Sequence, residues 1–370
     1  MLTRYSTDEN GNLVKAAVIY TKNEHNISLN SIDPDALYVV TRLKESGFDA
    51  YIVGGAVRDL IIGKTPKDFD IVTDATPSRI KKIFRNSRII GKRFRLVHVF
   101  FGQKIFEVST FRSTIDGSVG NAFGTIDEDV RRRDFSINAL YYDPIKEQII
   151  DYVGGVKDIQ KGVLTPVIPL DTIFIDDPVR MLRAVKYSAT THCKMSRTLK
   201  KKIRSSAELL SPVSPSRLTE ELLKIINSGH SYDIVVNALD TDLYTYLQPA
   251  ATNLMLENRK YEKSYLLSLQ ELDAFVQKNP DARLGEKLYF VLRDFVEYLT
   301  EWKMEAKVSP ASELFKSTWT RCRNFILPMN PQRTELDYAV RKILSSYGVQ
   351  VKAPKKKQQK KRVVLPPEND

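Results

Sequence analysis

The sequence predicts an α+β chain: a head with a mixed sheet and helices, then an all-helical neck and body, then a disordered basic tail. Three observations predict it. Runs rich in β-branched and alternating residues, such as Ile71-Val72-Thr73 and Val97 to Phe101, fall in the first part of the chain. From Ser196 onward apolar residues recur at helical spacing, as in Leu218, Leu222, Ile225 and Ile226, or Leu284, Leu288, Val291 and Leu292. The stretch Lys352 to Arg362, KAPKKKQQKKR, carries seven positive charges and no negative one, so it can build no core. A chain of 370 residues, 42% hydrophobic, is long enough for two or three domains.

In order, residues 1–30 are polar and low in periodicity, and a mobile arm is expected. Residues 31–160 are expected to form the head. Asp33-Pro34 opens a helix that runs to Gly47, and Asp49 to Val53 reads as a strand entering Gly54-Gly55. Ala56 to Ile62 reads as a short helix carrying Arg58 and Asp59. Lys67 to Thr73 reads as a strand. Residues two apart on a strand share a face, so Asp68 and Asp70 would stand side by side with Phe69 turned into the core. Two adjacent carboxylates are costly unless a cation sits between them, and paired carboxylate oxygens suit Mg²⁺ together with substrate phosphates. A Gly-Gly turn presents bare backbone N–H groups to a phosphate. Each feature alone is weak, because most Asp-x-Asp pairs are solvated and most Gly-Gly pairs are turns. Their order and spacing point to nucleotide chemistry.

Arg88 to Phe111 is strand-rich, with a hairpin turn at Gly102-Gln103. Glu107 sits inside an apolar strand, either outward and solvated or inward beside a cation. Ser113 to Thr125 reads as a Gly-rich loop. Three arginines, Arg131 to Arg133, precede Asp134 and call for a counter-anion. In Ile175 to Tyr187, Asp177, Arg180 and Arg183 recur at spacings that put them on one side of a helix, where a surface ion pair would account for them.

The segments GG-x-VRD, KDFD and TDATP, from Gly54 to Pro77, resemble the head of a class II nucleotidyltransferase of the polymerase beta type. That family contains the bacterial poly(A) polymerases and the tRNA CCA-adding enzymes. RRDFSIN, from Arg132 to Asn138, and DDPVRMLR, from Asp176 to Arg183, match further motifs, so the resemblance covers about residues 25–230. It implies a polymerase beta-like head over residues 31–160, a neck of nucleotide-base and RNA-binding helices over 161–230, a helical body over 231–350 and a basic tail over 351–370. It implies that Asp68 and Asp70 hold two Mg²⁺ ions and that Glu107 or Asp134 is a further catalytic carboxylate. It implies that Gly54, Gly55, Arg58, Arg132, Arg133, Asn138 and Arg183 contact the incoming nucleotide. Asp177 and Arg180 would lie across its Watson–Crick edge, where carboxylate and guanidinium suit adenine or cytosine. The family's Glu-Asp-x-x-Arg has Asp176 in first place here.

Within the family, Ile89 to Val99, IIGKRFRLVHV, resembles the poly(A) polymerase form GRRFRLAHV rather than the His-Gly-Thr type of CCA-adding enzymes. The implied reaction is AMP transfer from ATP to RNA 3′ ends, with CCA addition to tRNA as the alternative. A non-catalytic RNA-binding protein on the same scaffold is a third reading, opposed by the intact Asp68/Asp70 pair. The net charge of +12 and pI of about 9.4 favour an anionic partner, RNA first. In the tail, Lys355, Lys356, Lys357, Lys360, Lys361 and Arg362 are expected to meet RNA phosphates. Cys193 and Cys322 stand far apart and are expected to be reduced. Without a secretory signal or a long apolar run, a cytoplasmic setting and no membrane partner are expected.

Overall fold

A computed structural model describes residues 2–7, 13–91, 96–113, 122–299 and 310–351. Part of GKRFRLVHV (Lys92 to Arg95), most of the Gly-rich loop after Ser113, and the tail cations Lys355 to Arg362 lie outside the described residues. The chain divides into two compact units, one through Pro249 and one from Ala250.

The first unit is built on nine strands: β1 Leu2–Thr7, β2 Leu13–Tyr20, β3 Ala50–Val53, β4 Asp70–Thr73, β5 Ser87–Ile90, β6 Leu96–Phe101, β7 Lys104–Thr110, β8 Leu140–Asp143 and β9 Gln148–Asp151. Their order across the sheet is β1-β2-β9-β8-β3-β4-β7-β6-β5. Only β4 and β7 pair in parallel, which makes the sheet mixed as expected. β1 and β2 correct the mobile arm. The chain from Leu13 to Tyr20, LVKAAVIY, is apolar enough to extend the sheet beside β9, and Ala17 and Tyr20 are buried.

Helices α1 Pro34–Glu45, α2 Gly55–Ile61, α3 Pro77–Ile83 and α5 Gly155–Lys161 supply Val39, Leu43, Val57, Ile80 and Val156 to the core on one sheet face. Asp33 caps α1 by accepting from the Asp35 N–H at 2.9 Å, with Pro34 in the first turn, where its missing donor costs nothing. Helix α4, Ile126–Arg131, places Val130 in a second core on the other face, with Tyr51, Val72, Phe111 and Tyr141. The strand containing Asp70 begins at Asp70 itself, so Asp68 lies in the segment just before it. Phe69 is buried, as expected.

Beyond β9 the unit continues in α6 Ile173–Asp176, α7 Val179–Thr191, α8 Arg197–Ser206 and α9 Pro215–Ile226, with one short strand pair, Val163–Leu164 and Lys194–Met195. From Ser196 the described residues contain helices and no strand, and α9 buries Leu218, Leu222, Ile225 and Ile226. Gly155 illustrates close packing at the head's last helix: a Cβ there would stand 2.2 Å from the Ser136 carbonyl oxygen. The second unit packs helices Arg259–Lys278, Leu284–Tyr298, Ala311–Phe325 and Arg333–Ser346, with Leu288, Val291 and Leu292 buried. Both cysteines are buried and unpaired.

Candidate active site

The site lies where β3, β4, β7, α2 and α7 meet. Gly54 has φ +75° and ψ −128°, a conformation open to glycine, and its N–H donates to the Leu140 carbonyl at 3.2 Å. The chain then turns into α2, which aims Arg58 across the gap. Arg58 Nη1 donates to Asn138 Oδ1 at 2.6 Å, Nε and Nη2 donate to Asp59 Oδ1 at 2.9 and 2.8 Å, and the guanidinium lies 5.4 Å from the Tyr187 ring centroid. With its oxygen taken by Arg58, the buried Asn138 amide nitrogen has no partner among the described residues. An orphan buried donor in a cleft is costly unless a ligand meets it.

The carboxylates gather at the start of β4. Ile71 pairs with Val108 in parallel register, so Asp70 and Glu107 precede them on neighbouring strands and share a face. The Asp70 carboxyl is reached by solvent yet recessed among protein atoms. Desolvation, then the Glu107 carboxylate, then that of Asp68 push its pKa up to about 6, against the opposing pull of Arg133. Glu107 follows the outward alternative: its side chain is 52% exposed, with His98 Nε2 3.4 Å away, and on that outer face it borders Asp70. Among the described residues, no three His, Cys, Asp or Glu side chains form a group that would hold a metal ion alone. Crowded carboxylates, with Asp70 of raised pKa among them, fit a hard cation that arrives with phosphate oxygens of its own.

The arginine motif has its counter-anion in a residue that the sequence reading missed. Asp129, fully buried on α4, accepts from Arg132 Nε at 2.9 Å, Arg133 Nη2 at 2.8 Å and the Tyr141 hydroxyl at 2.7 Å. Burial alone would raise the Asp129 pKa. The guanidiniums of Arg133 and Arg132 and the Tyr141 hydroxyl outweigh burial and hold it well below the usual carboxylate range. The signal was local: Arg132 and Arg133 follow Asp129 by three and four residues. Arg133 also reaches the Asn138 carbonyl at 3.5 Å, beside Gly54.

Asp134 turns elsewhere. It accepts from the Phe135 N–H at 2.8 Å and lies 3.4 Å from Arg183 Nη1, while the carboxylates acting on Asp70 are Glu107 and Asp68. The expected helix-face arrangement of Asp177 with Arg180 and Arg183 is corrected. Asp177 is extended and precedes α7, because Pro178 follows it, and its Oδ1 accepts from the Val179 N–H at 3.2 Å. Its Oδ2 pairs with Arg217 of α9 at 2.7 Å, not with Arg180. Arg180 is buried and donates to the carbonyls of Ile173 at 3.2 Å and Arg132 at 3.4 Å. On α9, the buried Glu221 joins Lys186 at 3.4 Å and Lys224 at 2.7 Å. Glu221 and Lys224 are three residues apart on α9, a local spacing that the sequence reading passed over, whereas Arg217 meets Asp177 forty residues upstream and Lys186 meets Glu221 only through helix packing.

Gly54, Gly55, Arg58, Asp70, Arg132, Arg133, Asp134, Asn138, Asp177, Arg180 and Arg183 border one open cleft of about 820 Å³, which Glu107 does not line. Asp68 opens instead onto the adjoining cavity with Asp70 and Arg58. Arg and Lys outnumber Asp along the walls, and Arg112, Lys186 and Lys224 add to them. A polyanion with a polar edge at its far end matches this arrangement.

Comparison with known proteins agrees with the geometry. Residues 50–165 match the family described as "Poly A polymerase head domain", and residues 194–255 match "Probable RNA and SrmB-binding site of polymerase A". The chain is 40% identical over 286 residues to Poly(A) polymerase I of Salmonella typhimurium, covering 73% of this chain and 60% of that one. It is 36% identical to Poly(A) polymerase I of Haemophilus influenzae, covering 78% and 67%. It is 32% identical to the CCA-adding enzyme of Bacillus subtilis, covering 74% and 68%. The chain thus spans about 60% of the length of the Salmonella relative. The fold is similar to that of the Bacillus stearothermophilus CCA-adding enzyme in complex with CTP, with TM-score 0.56 and 24% identity over 85% of this chain and 83% of that one.

Proposed function

The chain belongs to the nucleotidyltransferase family of the poly(A) polymerases and CCA-adding enzymes, and from that premise we propose that it adds AMP from ATP to RNA 3′ ends. The observation that carries the reading is the crowding of Asp70 against Glu107 and Asp68 beside a cleft lined with cations, with the Asn138 amide unsatisfied inside it. Such a site is poised for a metal-bound triphosphate.

In this reading the Gly54-Gly55 turn, Arg58 and Arg133 bind the phosphates, and the Asn138 amide nitrogen donates to the ribose or a phosphate. Asp177, held by Arg217, and Arg180 lie toward the base. Asp68 and Asp70, with Glu107 beside them, would hold divalent cations. When bound, Mg²⁺ would supply activation of the RNA 3′-hydroxyl and charge neutralisation on the pyrophosphate. Glu107 is preferred to Asp134 as the further carboxylate, since Asp134 is engaged by Arg183. Asp129 keeps Arg132 and Arg133 in place without substrate, so the cationic wall needs little reorganisation on binding. Adenylation is favoured over CCA addition by the GKRFRLVHV sequence and by the higher identity to poly(A) polymerases.

The CCA-adding alternative rests on the 32% identity to the Bacillus subtilis enzyme. The two are separated by incubating the protein with ATP or CTP singly, each with a generic RNA and with a tRNA lacking CCA. A long ladder of added A on generic RNA is expected. Addition of C, C and A to tRNA followed by arrest would replace this reading with the alternative.

A further inference from the structure

The nucleotide cleft accounts for one of two substrates. We infer that the outer face of β5, β6 and β7 carries the 3′-terminal stretch of the acceptor RNA as a single strand, with a base stacked on Phe100 and a phosphate against Arg88. The inference rests on the proposed nucleotidyl transfer and adds where the second substrate lies.

In-line displacement puts the attacking hydroxyl on the side of the phosphorus opposite the leaving phosphates. Past Asp70 and Arg58, the nucleotide cleft adjoins a second cavity of about 470 Å³ bordered by Lys64, Lys67, Lys186 and Lys224. Those cations suit leaving phosphates. Glu107 lines neither that cavity nor the nucleotide cleft but borders Asp70 on the neighbouring strand, across from those cations, so the attack comes from the Glu107 side. There the sheet registers set one polar row. Asp70 neighbours Glu107, Glu107 is paired with His98, and His98 is paired with Arg88, all on one face. The next row pairs Phe100 with Ile105.

This face is open. Val97, Val99, Phe106 and Val108 point the other way, into the helix-covered core. The alternate residues are left outside it: Ile105 is 52% exposed, Glu107 and Arg88 are exposed, and Phe100 and His98 are half-buried. A half-open aromatic ring and a guanidinium on a sheet face are what unpaired bases and their phosphates use. The row also has polarity. Arg88 stands at its outer end and the carboxylates at its inner end, so phosphates are welcome at the edge strand and repelled near Asp70. Only a strand end, with a neutral hydroxyl in place of a phosphate, fits the inner position.

The test uses the full chain, ATP and a single-stranded oligoadenylate. Arg88→Glu and Phe100→Ala are each expected to raise the KM for RNA about tenfold, the loss of roughly 1.4 kcal/mol. The KM for ATP should stay within about twofold and the circular dichroism unchanged. Phe100→Tyr should retain the parent value, which a loss of packing alone would not explain. RNA carrying 4-thiouridine next to its 3′ end should crosslink to the tryptic peptide Leu96–Lys104. If Phe100→Ala fails to fold, the exposed Arg88 on an edge strand decides the matter. Unchanged RNA KM values, with crosslinks on the Lys64 or Lys224 wall, would overturn the inference. A parent protein that transfers no nucleotide would instead overturn the proposed function, and direct RNA binding by the two variants would still decide the docking face.

Discussion

Removing the Asp129 carboxylate is expected to be among the most damaging single changes in the head. Asp129→Ala strips the partner from two guanidiniums and from the buried Tyr141 hydroxyl at once. The Arg132 and Arg133 side chains are only 16% and 18% exposed, so water replaces the carboxylate poorly. Breaking a buried ion pair on one side costs about 3–5 kcal/mol, and the upper half of that range applies with two cations orphaned. Tyr141→Phe removes one hydrogen bond and should cost about 1–1.5 kcal/mol. The pH dependence has a definite sign. Because the folded Asp129 carboxyl titrates below its unfolded value of about 3.9, its stabilisation is complete above that value and is lost as pH falls through the folded one. The gap between the parent and Asp129→Asn should therefore be full at pH 7 and narrow below about pH 4. Urea unfolding followed by far-ultraviolet circular dichroism is the assay. The KM for ATP should rise in parallel. An Asp129→Ala protein within about 1 kcal/mol of the parent at pH 7 would refute the view that this carboxylate organises the arginine wall.

Asp68→Ala and Asp70→Ala should each abolish nucleotide addition, measured with ATP and Mg²⁺, while leaving the circular dichroism intact. Asp70→Asn should also raise the thermal midpoint in chelator at pH 8 but not at pH 4, because a carboxyl whose pKa is raised to about 6 destabilises the fold only once it ionises; equal midpoints at both pH values would contradict the crowding. Arg217→Ala removes the half-exposed partner of the buried Asp177 carboxylate, and it should narrow the ATP/GTP preference by about 1 kcal/mol, read as a kcat/KM ratio. Arg180→Ala is the less clean probe, since it also removes a buried donor from the carbonyls of Ile173 and Arg132. Deleting the chain from Lys352 should flatten the slope of log K against log salt by roughly 0.7 for each RNA phosphate the tail had neutralised, with single-nucleotide addition at saturating RNA little changed; identical slopes would assign the tail to solubility.

Much of this site was legible because its chemistry is local. Gly54, Gly55 and Arg58 lie within five residues, and the alternation around Phe69 told which side chains face inward. Two errors share a cause, which is that periodicity does not mark where an element starts. β4 begins only where Asp70 meets Val53, so Asp68 falls outside the strand, and Pro178 holds Asp177 off the helix that its spacing suggested. The N-terminal strands were missed because polar composition was weighed above the apolar run Leu13 to Tyr20. Arg217 had no local signal for its partner, Asp177, which lies forty residues upstream and is reached only through helix packing.

The one parallel pairing in the sheet has a consequence for how the protein is made. β4 and β7 run the same way, so the chain must travel out through α3, β5 and β6 before β7 can return beside Asp70. Glu107 therefore meets Asp70 only after that whole excursion has folded, and Arg217 and Lys224 emerge from the ribosome more than a hundred residues later still. In the proposed reading nucleotide capture would thus be a late event in the life of the polypeptide, and retention on immobilised ATP is the expected mark of completed folding.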